Sequence, residues 1–206
     1  MKFDFENMNN YQLDVLREVS NIGAGNAATA LSKMVRRRVD MGVPKIALLE
    51  FSEVGAILGD EEKIIAGVIV PIQGSINGVL LLILEYNDTS NLIELLTGKS
   101  YGDFSEFDEL AYSAIRETGN ILSGAYMSAL AILTNLSVKC MIPDVAIDMA
   151  ASILSIPAIG FGMISDKVLY IDSDFAEGQD NVKAKMFLVL EAESFEILLR
   201  SLGAMS

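Results

Sequence analysis

Two stretches that lie 99 residues apart decide the fold: residues 14–34 read DVLREVSNIGAGNAATALSKM, and residues 113–133 read SAIRETGNILSGAYMSALAIL. Seven of the 21 aligned positions are identical, which is more than unrelated segments share. Apolar residues recur at helical spacing in both stretches, as with Val15, Val19 and Ile22 in the first. The sequence therefore predicts a tandem duplication in which each unit begins with a long helix.

The pattern after each predicted helix is also repeated, as strands with a hairpin signal and then a short helix that ends at glycine. In the first unit, about residues 11–98, we predict helix Tyr11–Met34, strands Lys45–Ser52, Ile64–Ile72 and Ile76–Glu85, and helix Asp88–Leu96. In the second unit, about residues 107–203, we predict helix Phe107–Asn135 and then strands or extended segments Val145–Leu154 and Ala158–Ile164. Strands Val168–Asp172 and Val182–Glu191 and helix Ser194–Leu202 follow. The polar segments Lys99–Ser105 and Ser173–Asn181 predict a linker and a loop.

These elements predict a fold of the α/β (α+β) class. We expect residues 1–206 to form a single domain made of the two repeats, related by a pseudo-two-fold axis. The two repeats are expected to share one sheet. Two units are too few for a solenoid.

Composition excludes several classes of function. The 206 residues include one Cys and no His, which excludes a disulfide framework and any Ser-His, Cys-His or His-metal chemistry. The formal net charge is −13, and the one basic cluster is Arg36–Arg38. Nucleic-acid binding requires clustered positive charge, so we expect no nucleic-acid partner.

The sequence carries no targeting or membrane signal. The first ten residues, MKFDFENMNN, lack the apolar region of a signal peptide. The most apolar long stretch, Ala146–Ser165, is interrupted by Asp148, Pro157 and Gly160, whereas a membrane span needs about 20 mainly apolar residues. We therefore expect a cytoplasmic protein without membrane insertion.

Each long helix carries the pattern Glu-x2-Asn on one face. The spacing of Asp14, Glu18 and Asn21 keeps the side chains within about 40° of Asp14 around the helix axis. Gly25 falls in the same stripe, away from the apolar face. The second helix repeats the stripe in its own residues, which are Ser113, Glu117, Asn120 and Gly124.

The residues of this stripe weaken a helix. Asn competes for backbone hydrogen bonds, and Gly costs about 1 kcal/mol relative to Ala. A glycine on an exposed face lets another backbone come close. Both copies keep Glu, Asn and Gly, while other surface positions have diverged, so the stripe predicts a surface that docks another protein.

The chemistry open to Glu and Asn is narrow. An amide both donates and accepts hydrogen bonds, so it can orient a water molecule for attack on phosphorus. A glutamate can pair with a cation of the partner once docking excludes water. The sequence supplies no phosphate cradle or metal cluster of its own. The substrate that fits is a protein that carries its own metal and lysine around a phosphorylated aspartate.

The full pattern, Asp/Ser-x3-Glu-x2-Asn-x22-Pro, resembles the signature of the CheC-type phosphatases of bacterial and archaeal chemotaxis. It stands in this chain as Asp14, Glu18, Asn21 and Pro44, and again as Ser113, Glu117, Asn120 and Pro143. The resemblance covers essentially the whole chain. The resemblance implies an α/β fold with a largely antiparallel central sheet and two long outer helices, which agrees with the helices and strands predicted above.

The resemblance implies a substrate and two residue roles. The substrate is the phosphorylated response regulator CheY. Asn21 and Asn120 correspond to the residue that positions the hydrolytic water, and Glu18 and Glu117 to the residue that contacts the regulator's lysine. The protein needs no cofactor of its own, because Mg²⁺ is expected in the active site of the regulator.

The remaining motif positions are assigned supporting or structural roles. Asp14 and Ser113 occupy the first position, and Pro44 and Pro143 close the connection from helix to strand. The resemblance also implies CheD, a receptor glutamine deamidase, as a second partner. Two motifs in one chain remove the need to dimerise, so we expect a monomer.

Two alternatives of other classes remain open. The chain can be a non-catalytic binding or adaptor protein for CheD or phosphorylated CheY. It can also be a scaffold like the flagellar switch protein FliM, whose similar middle domain lacks the Glu/Asn pairs. The intact pairs in this chain favour catalysis.

Overall fold

A computed structural model describes residues 10–161, 164–177 and 180–204. The first half of the chain forms α1 (Asn10–Val35), β1 (Asp40–Met41), β2 (Lys45–Glu50), α2 (Val54–Leu58), β3 (Ile64–Gly74), β4 (Gly78–Leu84) and α3 (Tyr86–Thr97). The second half forms α4 (Glu109–Thr134), β5 (Val138–Cys140), β6 (Asp144–Met149), α5 (Ala150–Phe161), β7 (Ile164–Glu177), β8 (Asp180–Glu191) and α6 (Ala192–Leu199). The same order of helices and strands occurs in both halves. The duplication itself stays a prediction.

The strands form one eight-stranded sheet in the order β1-β7-β8-β4-β3-β5, with β2 also on β7 and β6 also on β3. Every strand pair in the sheet is antiparallel, as predicted. The two halves meet where β4 pairs with β8, from Gly78 opposite Leu190 to Ile83 opposite Lys185. They also exchange strands, because β1 and β2 pair with β7 while β5 and β6 pair with β3.

Apolar residues cover both faces of the sheet. Leu80, Leu82 and Leu84 belong to a core that also holds the buried residues of α1 and α4. Leu81 and Ile83 belong to a second core, shared with α2 and α5. Because β4 is buried on both sides, its sequence is continuously apolar rather than alternating.

The two long helices pack through glycine and small residues. A Cβ atom added at Gly23 of α1 would lie 2.7 Å from Cδ1 of Tyr126 in α4. One added at Gly119 of α4 would lie 2.5 Å from Cγ1 of Val68 in β3. Tyr126 is itself fully buried, and its hydroxyl lies 2.8 Å from Oγ of Ser173. These helices therefore approach each other and the sheet closely only because the side chain is missing at those two positions.

Helix ends follow the predicted stop signals. Gly98 ends α3 in the left-handed conformation, with φ +71°, and Gly203 has φ +76° in the helical turn that follows α6. The long helices also end at a left-handed residue, Arg36 after α1 and Asn135 after α4.

The prediction of strands or extended segments at Val145–Leu154 and Ala158–Ile164 is confirmed for Val145–Met149, which lie in β6, and is wrong from Ala150 to Phe161; residues 162–163 lie outside the described residues. The chain leaves the sheet after β6 and forms α5, which buries Ala150, Ile153 and Pro157 at helical spacing. The segment is apolar on all sides, so its sequence shows no helical period. Among the described residues, no helix combines the length and the apolar character that a membrane crossing requires.

The predicted loop at Ser173–Asn181 is also wrong, because β7 and β8 run through most of it. Phe175 is buried, whereas Asp174 is exposed and lies opposite Lys183 of β8. Asp172 and Asp174 therefore lie on the same face of β7, opposite Lys185 and Lys183 of β8. The short helix α2 was not predicted either, since its five residues are too few to show a period.

Candidate functional site

The first half of the candidate site is the outer face of α1. Asp14, Glu18, Asn21 and Gly25 are all exposed. The opposite face packs into the core that α1 shares with α4. The structure therefore brings these four residues together on one solvent-facing stripe, as their spacing predicts.

The outer face of α4 carries the second half. Ser113, Glu117, Asn120 and Gly124 are exposed there in the same order. Asp108 fixes the start of this helix by accepting hydrogen bonds from the backbone N–H groups of Leu110 and Ala111, each at 3.1 Å. Both stripes thus lie on long regular helices, which hold side chains in a defined order.

The glycines of the two stripes have no packing role. A Cβ atom added at Gly25 or at Gly124 would meet nothing within 4 Å. This is the opposite of Gly23 and Gly119, whose missing side chains are required by close neighbours. The exposed glycines lower helix stability without a folding benefit, so their use points to a surface that another molecule approaches.

An ion pair distinguishes the two stripes. Nη1 of Arg17 lies 2.8 Å from Oδ1 of Asp14, three residues earlier. The aligned residues of α4 are Arg116 and Ser113, and serine provides no carboxylate. Within the described residues, Arg116 makes no ion pair. Sequence reasoning missed this difference, although the retained arginine beside the change from Asp14 to Ser113 was the available signal.

A shallow cavity of about 580 Å³ adjoins the second stripe. Its lining is mainly the first two turns of α4, and the residues are Phe107, Asp108, Glu109, Tyr112, Ser113 and Arg116. The carboxylate of Asp108 is already engaged, with Nζ of Lys99 at 2.5 Å and the hydroxyl of Tyr101 at 2.6 Å. These hydrogen bonds hold the pKa of Asp108 well below its usual range, and the bond from Lys99 has the largest effect.

The two motif prolines each stand just before a strand. Pro44 is half-buried and precedes β2, and Pro143 is buried and precedes β6. Proline lacks an N–H group, so the start of a strand is one of the few sheet positions that accept it. Both prolines lie away from the exposed stripes in sequence, at the helix-to-strand connections that follow α1 and α4.

The stripes contain hydrogen-bonding groups and carboxylates but assemble no metal centre. In the part of the chain that the structure describes, no three Cys, Asp or Glu side chains converge as metal ligands would. On its own, an exposed stripe with a glutamate and an asparagine contains no reacting group. Such a stripe becomes chemically useful when a partner brings the reacting group to it.

Comparisons with known proteins agree with this arrangement. The model of the CheC-like family matches residues 12–48, the segment that contains the first motif and its proline. CheC of Bacillus subtilis (strain 168), a CheY-P phosphatase, is 32% identical over 204 residues, covering 97% of this chain and 98% of that protein.

Solved structures show the same fold. The crystal structure of FliY from Thermotoga maritima has a TM-score of 0.75 at 21% identity and covers 95% of this chain and 98% of that one. The middle domain of FliM from H. pylori has a TM-score of 0.66 at 11% identity, with 94% and 99% covered. The identity to CheC of Bacillus subtilis extends over nearly the full length of both proteins, and it establishes that this chain belongs to the CheC-like family.

Proposed function

We propose that this chain hydrolyses the aspartyl phosphate of CheY through its two Glu/Asn motifs. The observation that carries the proposal is the pair of exposed stripes, each with a carboxylate, an amide and a bare glycine on a rigid helix. Membership of the family supports the class of activity, since the relative at 32% identity is a CheY-P phosphatase.

The asparagines act on water. Asn21 or Asn120 enters the active site of the docked regulator, where the amide accepts a hydrogen bond from water and donates one to an oxygen nearby. This fixes the water in line with the bond between phosphorus and the aspartate oxygen. Phosphoryl transfer depends mainly on such positioning and on charge neutralisation, so an uncharged amide suffices.

The glutamates anchor the regulator. Glu18 and Glu117 are exposed in the free protein, where water weakens any ion pair. Docking excludes that water, and a pair between either carboxylate and a lysine of the regulator then becomes stronger. Gly25 and Gly124 let the partner's backbone approach one turn further along each helix.

The regulator supplies the remaining catalytic groups. Mg²⁺ in its active site neutralises the phosphoryl oxygens, and this chain contributes no cofactor. The family resemblance extends the proposal to CheD as a second partner, to a monomeric chain and to the cytoplasm as its compartment.

The test is the dephosphorylation rate of CheY charged with acetyl phosphate at fixed Mg²⁺ concentration, with and without CheD. Wild type is compared with Asn21→Ala, Asn120→Ala and the double variant. We expect wild type to accelerate phosphate loss and the double variant to return to the spontaneous rate. Asn26→Ala is the matched control, because Asn26 is also exposed on α1 but lies outside the stripe.

An unchanged spontaneous rate with wild type, including in the presence of CheD, overturns the proposal. A double variant that remains as fast as wild type also overturns it, because catalysis then comes from other residues. The first outcome, combined with measurable binding, identifies the chain as an adaptor for the phosphorylated regulator or CheD.

A further inference from the structure

We propose that Arg116 is a docking residue that makes the second motif bind the phosphorylated regulator more tightly than the first. The inference rests on the proposed function and deepens it. Its basis is the ion pair that Asp14 makes with Arg17 and that Ser113 cannot make with Arg116.

The first stripe neutralises its own arginine. Asp14 holds Arg17 in an ion pair with N and O 2.8 Å apart, and both side chains are more than half exposed. Together with Glu18, this stripe carries one net negative charge. Arg17 then offers little attraction to a partner, because its guanidinium already faces a carboxylate.

The second stripe leaves its arginine available. Ser113 replaces the aspartate, and among the described residues Arg116 makes no ion pair with any carboxylate. The nearby Asp108 is occupied by Lys99 and Tyr101, at 2.5 Å and 2.6 Å. Arg116 balances Glu117, so the motif positions and their arginine carry no net charge here, one unit more positive than in the first stripe. Glu109, one turn before Ser113, is exposed and adds a negative charge at the edge of this stripe.

The partner's chemistry matches this charge. The phosphoryl oxygens and the carboxylates that hold Mg²⁺ concentrate anionic groups at the regulator's active site. A chain with a net charge of −13 repels such a site at long range. A guanidinium next to the docking glutamate offsets part of that repulsion locally, and its planar donors suit a carboxylate.

The cavity beside Arg116 provides room for the contact. Ser113 and Tyr112 line it together with the arginine, and the second carboxylate in its lining is Glu109, which is exposed. A carboxylate of the docked regulator entering there meets one free cation. We infer that the contact acts mainly on association, which means on KM rather than on kcat.

The experiment isolates each motif and exchanges the residue that differs. The Asn21→Ala variant leaves only the second motif, and Ser113→Asp is added to it to pair Arg116 as Arg17 is paired. We expect KM for phosphorylated CheY to rise about three- to tenfold, with kcat within about twofold. In the Asn120→Ala background, Asp14→Ser should lower KM by a similar factor.

Three further variants separate charge pairing from general effects. Arg116→Ala should raise KM as Ser113→Asp does, and Arg116→Lys should restore most of the affinity at low salt. Ser128→Asp adds the same charge at an exposed position of α4 further from the motif and should leave KM unchanged. The same variants are titrated with CheY charged with beryllofluoride, which reports docking without turnover.

The outcomes distinguish the two proposals. If wild type and both single-motif variants leave the spontaneous rate unchanged while beryllofluoride-charged CheY still binds and the affinity shifts appear, the phosphatase proposal fails and the docking role of Arg116 stands. If the single-motif variants are active but Ser113→Asp and Arg116→Ala leave KM unchanged, the inference is overturned and the phosphatase proposal stands.

Discussion

The inner and outer faces of the two long helices use glycine for opposite reasons. On the inner face, Gly23 and Gly119 leave space that Tyr126 and Val68 fill, at 2.7 Å and 2.5 Å from an added Cβ atom. On the outer face, an added Cβ at Gly25 or Gly124 would meet nothing within 4 Å. The inner glycines are required by packing and the outer ones are not, which separates residues kept for folding from residues proposed for docking.

The largest effect is expected where the inner face is tightest. Gly119→Ala forces a methyl group against Val68, which is fully buried in the middle of the sheet. We expect the free energy of unfolding to fall by about 1–3 kcal/mol, as for other overpacked cores. Urea unfolding measures it, with Gly124→Ala on the same helix as the control. An unchanged or increased free energy would show that the helix moves away from the sheet at little cost.

The aligned position of α1 should respond with the opposite sign. Ser20 corresponds to Gly119 and is 1% exposed, and its hydroxyl has no hydrogen-bond partner among the described residues. Ser20→Ala removes that buried polar atom and improves helix propensity, so we expect a gain of about 1 kcal/mol in the free energy of unfolding. Thermal and urea unfolding test this, and a loss of stability would mean that the hydroxyl is satisfied in solution.

The smallest effect on stability is expected on the outer face. Gly25→Ala and Gly124→Ala should each raise the free energy of unfolding by about 0.5–1 kcal/mol, because alanine is the better helix former and nothing blocks its methyl group. The proposed docking role predicts that the double variant also loses kcat/KM toward phosphorylated CheY. Asn26→Ala serves as the exposed control on α1. A more stable variant with full activity would remove these glycines from the docking surface.

The sequence predicts most of this fold because the signals are local. The helical spacing of the repeated stretch gives α1 and α4, and the apolar runs give β3 and β4. The failures have a physical cause. The segment that forms α5 is almost entirely apolar, which hides its helical period. The aspartates on one face of β7 give that strand the polar composition of a loop.

The candidate site was predictable for the same local reason. Glu18, Asn21 and Gly25 share a stripe by spacing alone, and their equivalents in α4 do as well. Which glycines are required by packing depends on tertiary neighbours. The sequence alone therefore does not separate Gly23 and Gly119 from the glycines of the outer stripes. The ion pair of Arg17 depends on a side-chain geometry that one sequence does not fix.

The exchange of strands between the halves has a consequence for synthesis on the ribosome. When the nascent chain has emerged only as far as α3, β3 lacks β5 and β6, and β4 lacks β8. Both are apolar strands with open edges, and such edges pair readily with other chains. The sheet is complete only after β8 has been made. Until then the growing polypeptide depends on rapid completion or on chaperones to stay free of aggregation.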